Sequence, residues 1–257
     1  MMKLVMRIFP AVLLVAFLAE TLAVHADGPK TQMVQFAAGK ETVDGFLAIP
    51  TPEKPGRYPG IVVIHEWWGL NDWVKEQTEK LAAQGFVAVA VDLYRGAVTT
   101  NTEDAKELSR GLPDDVAVAD LTGAFDYLAA RADVDHDHIG AIGWAMGGGY
   151  ALKLAMHQPR LAACVVNYGP LPTDPNDIGM IWAPLLGNFG ADDHGVTPDD
   201  VHSFEKTLTT LKRRVDIKIY DGAGHGFENP ADTPGYNAQA AADAWARTIV
   251  FLNKSLR

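Results

Sequence analysis

Cysteine is nearly absent from this 257-residue sequence. Cys164 is the only one, which excludes an intrachain disulfide framework and any zinc or iron–sulfur centre built on several thiolates. Positive charge is also scarce. The 22 Lys+Arg stand against 32 Asp+Glu, a formal net charge of −10, so the chain repels phosphate backbones and anionic lipid, and nucleic acid is not an expected partner. There is no internal repeat and no low-complexity stretch, and nothing after the first two dozen residues is apolar for long enough to span a bilayer. What remains is ordinary globular composition, 48% hydrophobic and 9% aromatic. At about 150 residues per domain the length allows one or two domains, and α/β folds of this size are commonly built around one sheet, so one domain over residues 27–257 is expected.

The first 26 residues are set apart from that domain. Lys3 and Arg7 make a basic start, residues 8–19 are apolar apart from Pro10, and Val24 and Ala26 put small residues where a signal peptidase needs them. About a dozen apolar residues ending at Glu20 fall short of the roughly 20 that cross a membrane. The segment reads as a cleaved secretory signal, which predicts a mature chain from Asp27 that is periplasmic or secreted and keeps no stable membrane anchor.

Along the mature chain, Val34 and Phe36 precede a turn at Ala38-Gly39-Lys40, with β-prone residues 43–49 after it, which predicts a hairpin. Ile61-Val62-Val63-Ile64 has the continuous apolar character of a strand buried on both faces. From there strands and helices alternate. Strands are expected at 61–64, 86–91, 139–142, 164–166, 185–189 and 215–219. Helices are expected at 72–84, 116–130, 147–157, after Thr197-Pro198, and at 238–253. This order predicts an α/β fold with a mostly parallel central sheet, helices on both faces and antiparallel strands only at the amino-terminal edge. Ligands in such sheets bind beyond the carboxyl ends of the strands, so the residues that follow each strand are the candidates.

Gly143-Trp144-Ala145-Met146-Gly147 follows one such strand and leads into a helix. Two glycines around one central residue form the strained elbow that lifts a nucleophile above a sheet. The central residue is Ala145, which has no atom able to attack a carbonyl. Gly190-Ala191-Asp192-Asp193 and Gly224-His225-Gly226-Phe227 follow two later strands. Nucleophile position, acid, then histidine is the chain order of an α/β-hydrolase triad. His65-Glu66-Trp67-Trp68-Gly69 follows the strand from Ile61, in the loop that supplies one oxyanion-hole N–H in that fold; the donors are then the backbone N–H groups of Trp67 and Met146.

On His65–Gly69, Asp92-Leu93-Tyr94, Gly143–Gly148, Gly190–Asp193 and Gly222–Phe227, the sequence resembles the dienelactone hydrolase family of α/β-hydrolases over essentially all of the mature chain. The resemblance implies that position 145 is the nucleophile site, that Asp193 and His225 are its partners, and that Glu66 holds and helps activate the nucleophile. It implies hydrolysis of carboxylic esters or lactones, as by a carboxymethylenebutenolidase, without metal or organic cofactor. Two departures accompany it. The nucleophile is missing, and the arginines that hold an anionic substrate in the family have no full counterparts: Arg95 follows Tyr94 one place early, and Phe227-Glu228-Asn229 contains none. A neutral ester or lactone is the better expected ligand, with Tyr94, Arg95, Trp67, Trp68 and Phe227 as candidate contacts.

Other suggestive residues have simpler readings. His65 reads as a satisfied polar residue at a strand end, and Trp68, Trp144 and Trp182 as packing residues more than as binding platforms. Asp133-Val134-Asp135-His136-Asp137-His138 lacks the glycine and terminal glutamate of a calcium loop and reads as a solvated turn entering a strand, so no metal is expected. Cys164, inside an apolar run, reads as a small hydrophobe. Three readings of Ala145 stay open at this point: a hydrolase scaffold, a binding protein that holds an ester without turning it over, and an engineered replacement of a native nucleophile.

Overall fold

The Ile61–Ile64 run forms the middle of the molecule, with all four side chains fully buried. A computed structural model describes residues 28–51, 56–231 and 234–257; the expected signal segment lies outside them. Among the described residues eight strands form one sheet: β1 (Lys30–Ala38), β2 (Glu41–Ile49), β3 (Tyr58–Ile64), β4 (Val87–Val91), β5 (Val134–Trp144), β6 (Ala163–Asn167), β7 (Leu185–Gly190) and β8 (Val215–Tyr220). Their spatial order is β1-β2-β4-β3-β5-β6-β7-β8. The β1–β2 and β2–β4 pairs are antiparallel, and every other pair is parallel, as the alternation of elements predicts.

The helices are α1 (Asp72–Ala83), α2 (Thr102–Arg110), α3 (Asp114–Ala130), α4 (Met146–His157), α5 (Pro175–Gly179), α6 (Pro198–Thr210) and α7 (Ala238–Leu256). Thr197 opens α6 with a capping box to Asp200, and Asn71 opens α1 by accepting the Val74 N–H. Two cores result, one on each face of the sheet: Leu121, Phe125 and Leu154 pack on one face, and Leu81, Phe86 and Leu252 on the other.

The chain leaves β3 for β4 on one side and returns to β5 on the other, so β3 and β5 are neighbours whose connections diverge. A crevice beyond their carboxyl ends is the place where an open α/β sheet binds ligand. Residues 65–69 and 145–149 meet there.

Three stretches differ from expectation, the shortest being the five-residue α5, which no expected helix covers. Residues 134–138 are the first half of β5, with Tyr58 and Pro59 of β3 opposite Val134 and Asp135 before a register shift at Pro59/Gly60. The polar alternation of Asp135, His136 and Asp137 is that of a strand end exposed to water, not of a turn. Helix α2 has no counterpart in the sequence reading. Ala105 is its one buried residue, and Leu108 packs partly buried against the core, so its apolar face is only two residues long in a helix otherwise polar; a further signal is the Asn101 cap, which accepts the Glu103 and Asp104 N–H groups.

Candidate active site

The elbow is built by what its glycines lack. A Cβ on Gly143 would collide with the Gly147 carbonyl, and one on Gly147 with the Ile64 carbonyl, so β3, β5 and α4 can approach this closely only with glycine at both places. Between them Ala145 takes φ 48° and ψ −118°, a conformation that costs a residue with a side chain ~1–3 kcal/mol. Its N–H donates to the Asn167 carbonyl at 3.0 Å, and its own carbonyl accepts the Gly148 N–H at 2.9 Å. The short side chain faces a cavity of about 540 Å³ whose wall also includes Glu66, Trp67, Trp68, Met146 and His225.

His225 comes from the loop after β8, and its Nδ1 lies 2.8 Å from Asp193 Oδ2. The other Asp193 oxygen accepts the Gly195 N–H at 2.7 Å and the Val196 N–H at 3.0 Å. Burial works against this carboxylate, but the His225 and backbone hydrogen bonds outweigh it and hold the Asp193 carboxyl below the usual range. Asp193 therefore stays ionised and orients an imidazole that is itself 44% exposed and open to the cavity.

Glu66 is 2% exposed, and it is held on both oxygens: Asn229 Nδ2 donates to one at 2.7 Å, and the Tyr168 hydroxyl to the other at 3.4 Å. His65 braces the same loop. Its Nε2 accepts the Leu93 N–H at 3.2 Å, which leaves Nδ1–H to donate to the Glu66 carbonyl at 2.5 Å. Complete burial lowers the His65 pKa, so it is a neutral spacer and not a base, in line with its sequence reading. Behind Glu66, the Trp144 indole N–H donates to Glu228 at 3.2 Å. Burial pushes the Glu228 carboxyl up to about 8, against the pull of the indole and with the help of the Glu66 charge.

The structure thus brings Ala145, His225, Glu66, Trp67, Trp68 and Met146 to one cavity, with Asp193 behind His225. Three expected ligand contacts lie elsewhere. Arg95 spends its guanidinium on Asp120, at 2.6 and 3.0 Å, and on Glu41 at 3.3 Å. Phe227 is fully buried between the rings of Tyr168 and Tyr220. Tyr94 stands behind Met146, whose sulfur its hydroxyl faces at 3.1 Å. In each case a stronger partner inside the protein claims the side chain. Asn229, Tyr168 and Glu228 join the site without a motif in the sequence to mark them; Glu228 and Asn229 stand there only as positions without arginine. Among the described residues, the side chains of metal-ligating type that lie together are Asp135, His136 and Asp137, at the start of β5 and hence at the opposite end of the sheet from the cavity.

Comparison with known proteins agrees with this architecture. Residues 43–256 match the model of the dienelactone hydrolase family. Protein usf of Aquifex pyrophilus is 31% identical over 232 residues, covering 88% of this chain and 99% of that protein. The crystal structure of the dienelactone hydrolase-like promiscuous phosphotriesterase P91, from metagenomic libraries, superposes with a TM-score of 0.82 at 26% identity, covering 90% of this chain and all of that one. The dienelactone hydrolase of Anabaena variabilis, at 24% identity and a TM-score of 0.67 over 90% of this chain and all of that one, shares the fold.

Proposed function

The chain belongs to the dienelactone hydrolase family, and we propose that it is a carboxylic ester or lactone hydrolase scaffold whose nucleophile position is occupied by Ala145. One observation carries the reading. Residue 145 keeps a strained backbone, φ 48° and ψ −118°, that projects its side chain into the cavity holding His225 and Glu66. An alanine gains nothing from that strain, whereas a thiol or hydroxyl gains its reach to substrate.

With a nucleophilic atom on residue 145, that atom attacks the ester carbonyl while His225 takes its proton. Asp193 keeps the imidazole oriented and stabilises its cationic form. The oxyanion is received by the Trp67 and Met146 N–H groups; Met146 opens α4, where N–H groups have no carbonyl within the helix. His225 then gives its proton to the departing alkoxide, and the same residue activates the water that releases the acid. Glu66, beside position 145, favours a nucleophile that rests as a thiol and ionises only on substrate binding, so cysteine suits the site better than serine. A neutral substrate fits because Arg95 is committed to Asp120 and Asn229 is committed to Glu66. The amino-terminal segment directs this activity to the periplasm or the exterior.

A second reading, an ester-binding protein without turnover, is favoured by Ala145 itself. The two are separated by Ala145→Cys and Ala145→Ser, each with and without His225→Ala, assayed as kcat/KM on p-nitrophenyl acetate. The chain as it stands keeps only oxyanion stabilisation and binding, worth about 10³ to 10⁴ over water in serine proteases. Either replacement should add orders of magnitude, cysteine the more, and His225→Ala should remove the gain. No gain, or a gain indifferent to His225, favours the binding protein.

A further inference from the structure

Helix α4 is buried over most of its surface, yet Met146, Gly149, Lys153 and Met156 are only half-buried. Their spacing of three, four and three residues places them on one helical face, and all four line the cavity that contains Ala145 and His225. From Met146 to Met156 the helix rises ~15 Å at 1.5 Å per residue. The cavity is therefore a trench that starts at residue 145 and follows α4 for about three turns.

Its facing wall is Pro170-Leu171-Pro172, in the loop after β6. That loop can lie close because α4 begins with glycines: a Cβ on Gly148 would stand 2.9 Å from Gly169 Cα, and one on Gly149 would stand 3.2 Å from Pro170 Cδ. The lysine in the trench brings little free charge. Lys153 Nζ is paired with Asp114 at 2.5 Å and lies 4.9 Å from the centre of the Tyr150 ring, so its methylenes are what it offers a ligand. Two methionines on the α4 face supply flexible apolar contact.

We propose that the site takes neutral esters with one extended apolar arm, laid along α4 from residue 145 to Met156; this rests on the hydrolase reading of the same cavity. An extended chain advances about 1.2 Å per bond, a third of the span of one extended residue, so the trench holds an arm of roughly a dozen bonds. A compact dienelactone leaves most of the 540 Å³ unfilled, and its carboxylate meets Glu66 with neither Arg95 nor Lys153 free to receive it.

The Ala145 chain is itself the reagent, since without a nucleophile it can be titrated at equilibrium. Methyl acetate, butyrate, octanoate, dodecanoate and hexadecanoate are added in turn, and binding is followed by calorimetry. Affinity should climb by up to about fourfold per methylene and level off as the arm reaches Met156. Met156→Trp, filling the far end, should stop the climb several carbons earlier. Leu171→Trp should do the same from the facing wall, which covers the case in which the first variant does not fold, and thermal unfolding checks both. Affinities that stay flat or fall along the series, or a plateau that folded tryptophan variants leave unmoved, overturn the proposal. A flat series beside an active Ala145→Cys enzyme removes the long arm and leaves the hydrolase standing; a climbing series beside inactive replacements does the reverse.

Discussion

Replacing Arg95 by alanine should weaken the fold and leave ester binding intact. Asp120 is 2% exposed, and both its oxygens face the Arg95 guanidinium, at 2.6 and 3.0 Å. Removing one partner of a buried pair costs about 3–5 kcal/mol, because the other charge is left without compensation. Arg95 itself is 36% exposed, so water can enter the vacated space and the cost falls below that range, to ~2–3 kcal/mol. The deficit should depend on pH. Burial already holds the Asp120 carboxyl above its ordinary value of 3.8 despite the guanidinium, and losing Arg95 raises it further. A carboxyl whose folded pKa is raised binds its proton more tightly in the native state, so its cost is small below the unfolded pKa and grows as pH rises through the folded one. Urea unfolding of the parent and of Arg95→Ala should therefore differ little near pH 3.5 and most at pH 7. Arg95→Ala/Asp120→Leu should recover much of the loss, since no carboxylate remains to be buried. If Arg95→Ala keeps full stability at pH 7 but loses affinity for methyl butyrate, the side chain serves substrate and the structural assignment is wrong.

In an active Ala145→Cys background, Asp193→Asn should lower kcat by about 10⁴ with KM little changed, as the loss of the orienting acid does in serine proteases; an effect confined to KM would refute its role. Glu228→Gln should stabilise the protein at alkaline pH. Its carboxyl is raised from 4.5 to about 8, so the native state holds the proton, stability is highest below pH 4.5 and is lost as pH rises toward 8; melting curves at pH 5 and 9 should show the variant gaining at pH 9, and a uniform shift would count against the buried acid. Gly147→Ala should destabilise by several kcal/mol in chemical denaturation, because its Cβ meets the Ile64 carbonyl and backbone cannot yield as a flexible side chain does. Export predicts a mature amino terminus at Asp27 by mass spectrometry of protein from the native host, and an intact Met1 in the cytoplasm would exclude it.

The parts of the molecule legible in sequence are those where one physical demand sets the residue type. Ile61–Ile64 must be apolar on both sides because β3 has neighbours on both edges and helices over both faces. Gly143 and Gly147 must lack side chains because three elements converge there. What sequence did not reveal is competition between partners. Arg95 looked available as a contact for a neutral ligand because Asp120, 25 residues away on α3, is close only once α3 packs against β1 and β5. Phe227 looked like a ligand contact because an aromatic residue beside a histidine is equally suited to a pocket or to a core. Helix α2 stayed hidden because its apolar face is short, Ala105 and Leu108 among polar residues, and its start is marked only by the Asn101 cap. Asn229 needed the fold to bring it to Glu66 across 163 residues.

The unused chemistry of this site is costly to keep. Glu66 is buried to 2% and needs Asn229 and Tyr168 to satisfy its oxygens. Glu228 is held close enough behind it for the Glu66 charge to raise its carboxyl, and Ala145 holds a backbone that suits glycine better. None of these features strengthens the sheet, and each has a simple remedy: Glu66→Gln removes a buried charge, and Ala145→Gly relaxes the elbow. A pocket used only as apolar volume would be more stable with both changes. The acid, the imidazole, the second carboxylate and the strained turn are worth keeping together only where residue 145 carries a reactive atom. These costs support the proposed hydrolase reading of the site over that of a cavity remodelled for binding.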